Sequence, residues 1–110
     1  MYSNGTVYMI ICCLEPSIIY VGSTFNELKQ RFSKHKESYK RYLKNLHSEV
    51  AIYPYFEKYG LDNFKMIKIK DYLVYRENQS DHKHLSVYET LWYNKIKCVN
   101  KIIPFNPLQH

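Results

Sequence analysis

One stretch limits what this chain can become. Ile18-Ile19-Tyr20-Val21-Gly22-Ser23-Thr24 runs directly into Asn26-Glu27-Leu28-Lys29-Gln30-Arg31-Phe32-Ser33-Lys34-His35. Four β-branched or aromatic residues in a row, Ile18 to Val21, predict a strand. Gly22 then lets the backbone turn, or lets a ligand approach closely. Thr24 and Glu27 stand at capping-box spacing, which predicts a helix start. In that helix Leu28, Phe32, His35 and Tyr39 recur on one face, so a histidine lies within an apolar stripe. Arg31 lies one turn before it, on the edge of the stripe. A strand, a glycine and a helix with an inward Arg and His make a place for chemistry.

A chain of 110 residues can build one modest core, and its formal net charge of +6 serves solubility or, in a sharper reading, an anionic partner, most often nucleic acid. Twelve tyrosines against five Phe and one Trp suit a wet core edge, or stacking on bases and contact with phosphates. The three cysteines are odd in number and two are adjacent in an apolar run, which predicts reduced, buried thiols in an intracellular protein rather than a disulfide framework. No C-x-x-C pair is present for a thiolate zinc site. Val7 to Leu14 is the longest apolar run and is too short to span a bilayer, so no membrane association is expected. The N-terminus lacks the charged region and cleavage site of a leader.

Taken in order, Val7–Cys13 reads as a buried strand entered through Asn4-Gly5-Thr6. A turn over Leu14-Glu15-Pro16-Ser17 leads to its hairpin partner, Ile18–Val21. The first helix is expected over Asn26–Tyr42, with Lys29, Lys34, Lys36, Lys40, Arg41 and Lys44 on or just beyond its outer face. Such a face is commonly no more than solvated. Interleaved with Tyr39 and Tyr42, it is also a candidate for the phosphate backbone of a nucleic acid. A second helix over Tyr53–Tyr59 stops at Gly60. Phe64 to Val74 is strand-like, and its Phe64–Lys70 part is expected to join the sheet. Arg76 to Lys83 reads as a polar loop. The last helix runs over His84–Lys97, starting as early as His82, with an apolar face of Leu85, Tyr88, Leu91, Trp92 and Ile96. Glu89 falls about 40° from Leu85, inside that face. A buried carboxylate is costly unless paired or metal-bound, so Glu89 is either a core salt bridge or a metal ligand. His47, His82 and His84 lack matched acids or cysteines and are read as solvent-facing. Pro104 and Pro107 mark an irregular tail over 104–110, and a single domain with a core of about 5–103 is expected.

Thr6-Val7-Tyr8 and Tyr20-Val21-Gly22 lie on neighbouring strands. Arg31 and His35 follow on one helix, Lys58-Tyr59-Gly60 and Asn63-Phe64 come next, Glu89 is on the last helix, and Asn100 lies just after it. In this order the pattern resembles the GIY-YIG nuclease family, from about Gly5 to Ile103. Two departures are visible. Thr6 stands where the first motif has glycine, with Gly5 one position early, and Val21 replaces an isoleucine. The resemblance implies an α/β fold, a three-stranded antiparallel sheet flanked by helices. It also implies divalent-metal-dependent hydrolysis of a DNA phosphodiester, with Mg²⁺ or Mn²⁺ as cofactor. Many members carry a separate DNA-recognition domain, for which these residues leave no room. Substrate targeting would then fall to a homodimer or a partner protein.

The roles that the resemblance implies suit the side chains. Glu89 offers hard oxygen to a metal ion that keeps most of its waters. Arg31 offers planar donors to phosphate oxygens. Tyr8 is the expected acceptor of the attacking water's proton, a task for which a phenol is weak unless its surroundings favour the phenolate. Tyr20 orders water or phosphate, and His35 relays a proton or contacts phosphate. Lys36, Lys40, Lys44 and Asn100 are the expected DNA-binding residues. The structural alternatives are a core histidine, core tyrosines and a loop cap at Asn100. At the level of the whole chain they are a binding module of the same fold that does not cut, or an interaction domain with a solvated basic face.

Overall fold

The computed structural model describes residues 1–46 and 50–99. His47, Asn100 and the proline-marked tail lie outside them. The elements are β1 (Tyr2–Cys12), β2 (Ile19–Thr24), α1 (Leu28–Leu43), α2 (Tyr53–Tyr59), a 3₁₀ turn (Leu61–Asn63), β3 (Phe64–Tyr75) and α3 (Lys83–Lys95). The strands form one antiparallel sheet in the order β2-β1-β3, as expected from the sequence. Among the described residues no helix is long and apolar enough to cross a membrane.

Each strand is longer than its apolar run. β1 begins at Tyr2 because β3 pairs with it all the way out to Tyr2↔Tyr75, and this pairing carries Asn4 and Gly5 into the sheet despite their poor strand propensity. A Cβ on Gly5 would lie 2.7 Å from both Cδ atoms of Leu85, so the absent side chain is what lets α3 sit down on the sheet. β2 does not stop at Gly22. It pairs with β1 as far as Thr6↔Thr24, which places Gly22 inside the strand, directly opposite Tyr8. The register against β3 shifts between Val7 and Tyr8: Val7 faces Lys70 and Tyr8 faces Lys68, leaving Ile69 as the extra residue of a bulge.

The capping box is not formed. α1 starts at Leu28 with Glu27 as an N-cap that makes no side-chain bond, and the Thr24 hydroxyl instead accepts the Asn26 N–H at 3.0 Å. Thr24 is committed to β2, so its hydroxyl can serve only the turn between strand and helix. α2 begins as expected with Pro54 in its first turn, where a missing N–H costs nothing, and ends at Gly60 with φ of 88°. The Asn63 side chain donates to the Tyr59 carbonyl at 2.7 Å and closes that end.

Side-chain alternation along the central strand sorts the core into two clusters. Tyr8, Ile10, Cys12 and Ile18 pack with Tyr39, Tyr53, Phe56 and Phe64, on the side of α1 and α2. Val7, Val21, Val74 and Leu85 pack with Tyr88 and Trp92, on the side of α3. Tyr39 is therefore a core residue, and half-buried Tyr42 leans on Tyr53 with ring centroids 5.1 Å apart; neither is presented to a nucleic acid. Leu91 departs from the expected apolar face and is 59 % exposed. Ile96 packs beside α3 but from extended backbone after its end. Cys12 and Cys98 are buried, whereas Cys13 is exposed, because it falls past the last strand pair in the turn.

Candidate active site

Tyr8 sits on the central strand with its ring fully buried. The space for its hydroxyl is made by Gly22, where a Cβ would come 2.4 Å from the phenol oxygen. Two side chains from α1, one turn apart, reach that oxygen. Arg31 Nε donates to it at 3.2 Å, and His35 Nε2 lies 2.8 Å away. His35 is 3 % exposed, and burial, helped by the charge of Arg31, pushes its pKa down to about 4. It is therefore neutral near pH 7. Arg31 donates to the phenol oxygen, which leaves the phenol's own hydrogen for His35 Nε2 when the imidazole carries its proton on Nδ1. Tyr20, two residues before Gly22 and on the same face, sets its ring edge-on to His35 at 5.8 Å.

The phenols are hard to ionise as they stand. Burial raises the pKa of Tyr8, while the charge and hydrogen bond of Arg31 work against that rise and the charge of Glu89 adds to it. Burial pushes Tyr20 up further, with Tyr8 and Glu89 adding to the effect.

Glu89 approaches from the opposite side of the sheet, on α3. Ser23 faces that side because it follows Gly22 in the strand, and its hydroxyl donates to Glu89 Oε1 at 2.6 Å. Burial raises the Glu89 pKa, opposed by the Ser23 bond and by Arg31. Oε2 takes no hydrogen bond from a described residue. A cleft of about 660 Å³ opens here, lined by Ser23, Asn26, Arg31, Arg76, His82 and Glu89 among others. Arg31 and Glu89 thus meet in one cleft, although their helices pack on different faces of the sheet. Tyr8, Tyr20 and His35 do not line it; Arg31 joins them to it.

Among the described residues no three His, Cys, Asp or Glu side chains gather, which excludes an all-protein cage. One carboxylate with a free oxygen beside a serine hydroxyl is a hard-oxygen set, and it fits a small cation that retains most of its water.

The three lysines expected to bind DNA lie elsewhere. Lys40 and Lys44 are exposed, and half-buried Lys36 rests over the Phe32 ring at 4.6 Å. None of the three lines the cleft. His82 does, exposed as expected with its ring centroid 5.3 Å from that of Phe25, and His84 is exposed as well. Asn100 lies outside the described residues. Two cleft residues carried no sequence signal of their own. Ser23 becomes visible only once β2 is extended through Gly22, and Arg76 reads as part of a polar loop.

The model of the GIY-YIG catalytic domain family matches residues 4–98. No curated protein and no solved structure matches the chain. With the three-stranded antiparallel sheet and its flanking helices in place, the match over most of the chain makes this protein a member of the GIY-YIG family of nucleases.

Proposed function

We propose that the chain is a single-domain, metal-dependent DNA endonuclease, with a core of about 5–103 and Mg²⁺ or Mn²⁺ held at Glu89. The observation that carries this reading is the position of Arg31. It touches the Tyr8 hydroxyl at 3.2 Å while lining the same cleft as Glu89. A phosphate entering the cleft meets a guanidinium that is already hydrogen-bonded to the candidate base.

The steps follow from the side chains. Arg31 binds non-bridging phosphate oxygens through its planar donors. This draws its Nε away from Tyr8 and opens the phenol oxygen, which is otherwise buried. The attacking water forms its bond to phosphorus as its proton passes to the Tyr8 oxygen, while the bond from phosphorus to the leaving sugar oxygen breaks; that oxygen keeps the electron pair and takes a proton from solvent water. Tyr8 releases its own hydrogen to His35 Nε2, so no isolated phenolate has to persist. Negative charge arriving with the phosphate favours the protonated imidazole, which eases that transfer. Tyr20 holds the imidazole edge. When bound, the cation would offset charge on the phosphate and on the leaving oxygen. Ser23 fixes the orientation of the Glu89 carboxylate. Lys36, Lys40 and Lys44 are proposed to hold flanking backbone away from the cleft, and Asn100 is proposed as a further DNA contact.

The test is supercoiled plasmid incubated with Mg²⁺, with nicked and linear products resolved over time for the wild type and for Glu89→Gln. Nicking by the wild type and a loss of at least about a hundredfold in a folded variant is the expected outcome. A stable Glu89→Gln protein that nicks at the wild-type rate overturns the assignment.

A further inference from the structure

The cleft that holds Arg31 and Glu89 has a second arginine among its lining residues. Arg76 follows the last residue of β3 and is 8 % exposed. Its guanidinium lies over the Phe25 ring, 3.6 Å from the centroid, and Phe25 in turn packs against His82. Nε donates to the Asp81 carbonyl at 3.1 Å and Nη2 to the Gln79 carbonyl. All of its protein acceptors are thus neutral. The Asp81 carboxylate is turned to the backbone N–H groups of Glu77 and Lys83, each at 3.0 Å. Among the described residues the sole ion pair is Lys68–Asp71, on the surface.

A guanidinium held this deep without a carboxylate is costly, and the Phe25 stack offsets only part of that cost. A purely structural staple accounts for Nε and Nη2. It does not account for Nη1, which bonds no described residue and, since no buried polar atom lacks a partner, is accessible to solvent in a residue that lines the cleft. The fixed plane and the open donor leave the residue short of one anion on the cleft side. Arg31 lines the same cleft, so a chain of phosphates is a ligand that the two arginines could share.

We infer that Arg76 binds a second phosphate of the same nucleic-acid strand, one or two nucleotides from the phosphate at Arg31 and Glu89. This rests on the nuclease reading for the nature of the ligand and extends it: the substrate is recognised as a run of backbone, not as a lone phosphodiester. Phe25 holds the guanidinium plane, and the Gln79 and Asp81 carbonyls fix its rotation, so the clamp is built before substrate arrives.

The test uses short ligands in the absence of metal, so that binding is read without cleavage. Thymidine 5′-monophosphate, thymidine 3′,5′-bisphosphate and the dinucleotide phosphorylated at both ends are titrated into the wild type and Arg76→Gln. The wild type is expected to bind one of the two multiply phosphorylated ligands about tenfold more tightly than the monophosphate, and Arg76→Gln to lose that preference. Should Arg76→Gln fail to fold, the side-chain Nε resonances of the wild type decide. Those of Arg31 and Arg76 should both move with the preferred ligand. A preference that is absent, or that survives in Arg76→Gln, or an Arg76 resonance that stays still while that of Arg31 moves, overturns the inference. Plasmid nicking by the wild type is scored separately. A protein that does not nick but shows the Arg76 shift loses the nuclease reading and keeps the clamp.

Discussion

Gly22 faces Tyr8 across two paired strands, and a single added carbon on Gly22 would lie 2.4 Å from the Tyr8 hydroxyl oxygen. The ring cannot flex out of the way as a long aliphatic side chain would. Gly22→Ala therefore has to push the phenol off Arg31 and His35. Overpacking of this kind costs on the order of 1–3 kcal/mol. The expected result is a folded protein with a lowered melting temperature and a drop in nicking larger than the folded fraction explains. Unchanged nicking would mean that the Tyr8 position is not used.

Ser23 and Glu89 should separate positioning from ligation. Ser23→Ala leaves the carboxylate charged but free to rotate, and should weaken the apparent Mg²⁺ affinity roughly 10- to 100-fold while excess Mg²⁺ restores the rate. Glu89→Gln should not be rescued by metal. Rate against Mg²⁺ concentration for both variants distinguishes the two behaviours.

His35 sets the acid limit of stability. Its pKa is about 4 in the folded protein against the ordinary 6.5. Below about pH 6.5 the unfolded chain takes up a proton that the folded protein refuses, so stability falls as the pH drops toward 4 and levels off below it. The loss from this residue is about 3 kcal/mol at most. Glu89, whose pKa is raised, acts in the opposite sense over its own range. The His35 contribution is therefore read as the difference between wild type and His35→Gln in denaturant midpoints between pH 4 and 7, and that difference should shrink as the pH falls.

Lys40 is exposed on the last turn of α1, Lys44 is exposed just past its end, and neither lines the cleft. If they hold phosphates, each change to Gln should lower the salt slope of DNA binding by roughly one and weaken all sequences alike. Filter binding across a salt series checks this. An unaltered slope would leave the face as solvated surface.

The pairing of the two motif strands was legible because the runs are rich in strand formers and a proline turn separates them. The place of Gly22 was not. In a sequence a glycine after an apolar run looks like a stop, and only the Thr6↔Thr24 partners show that the strand continues. That one error also hid Ser23 and promoted Thr24 to a helix cap. Arg31, His35 and Glu89 were findable from helical spacing, since charged residues on an apolar stripe stand out. Arg76 was not, since its burial depends on Phe25, a residue far away in the chain and close only in the fold. Leu91 shows the converse: periodicity put it on the buried face, yet it is mostly exposed in the fold.

The two groups that share the cleft, Arg31 and Glu89, hang from helices that belong to different hydrophobic clusters and are tied to each other through the strands between them. Neither face can assemble the whole site. A fragment that retains the strands with one helix layer would present a guanidinium without its acid, or an acid without its guanidinium. Catalysis here is in effect an assay for the simultaneous docking of both layers. Mutations deep in either cluster, remote from any phosphate, should cut turnover before they abolish the secondary structure seen by circular dichroism.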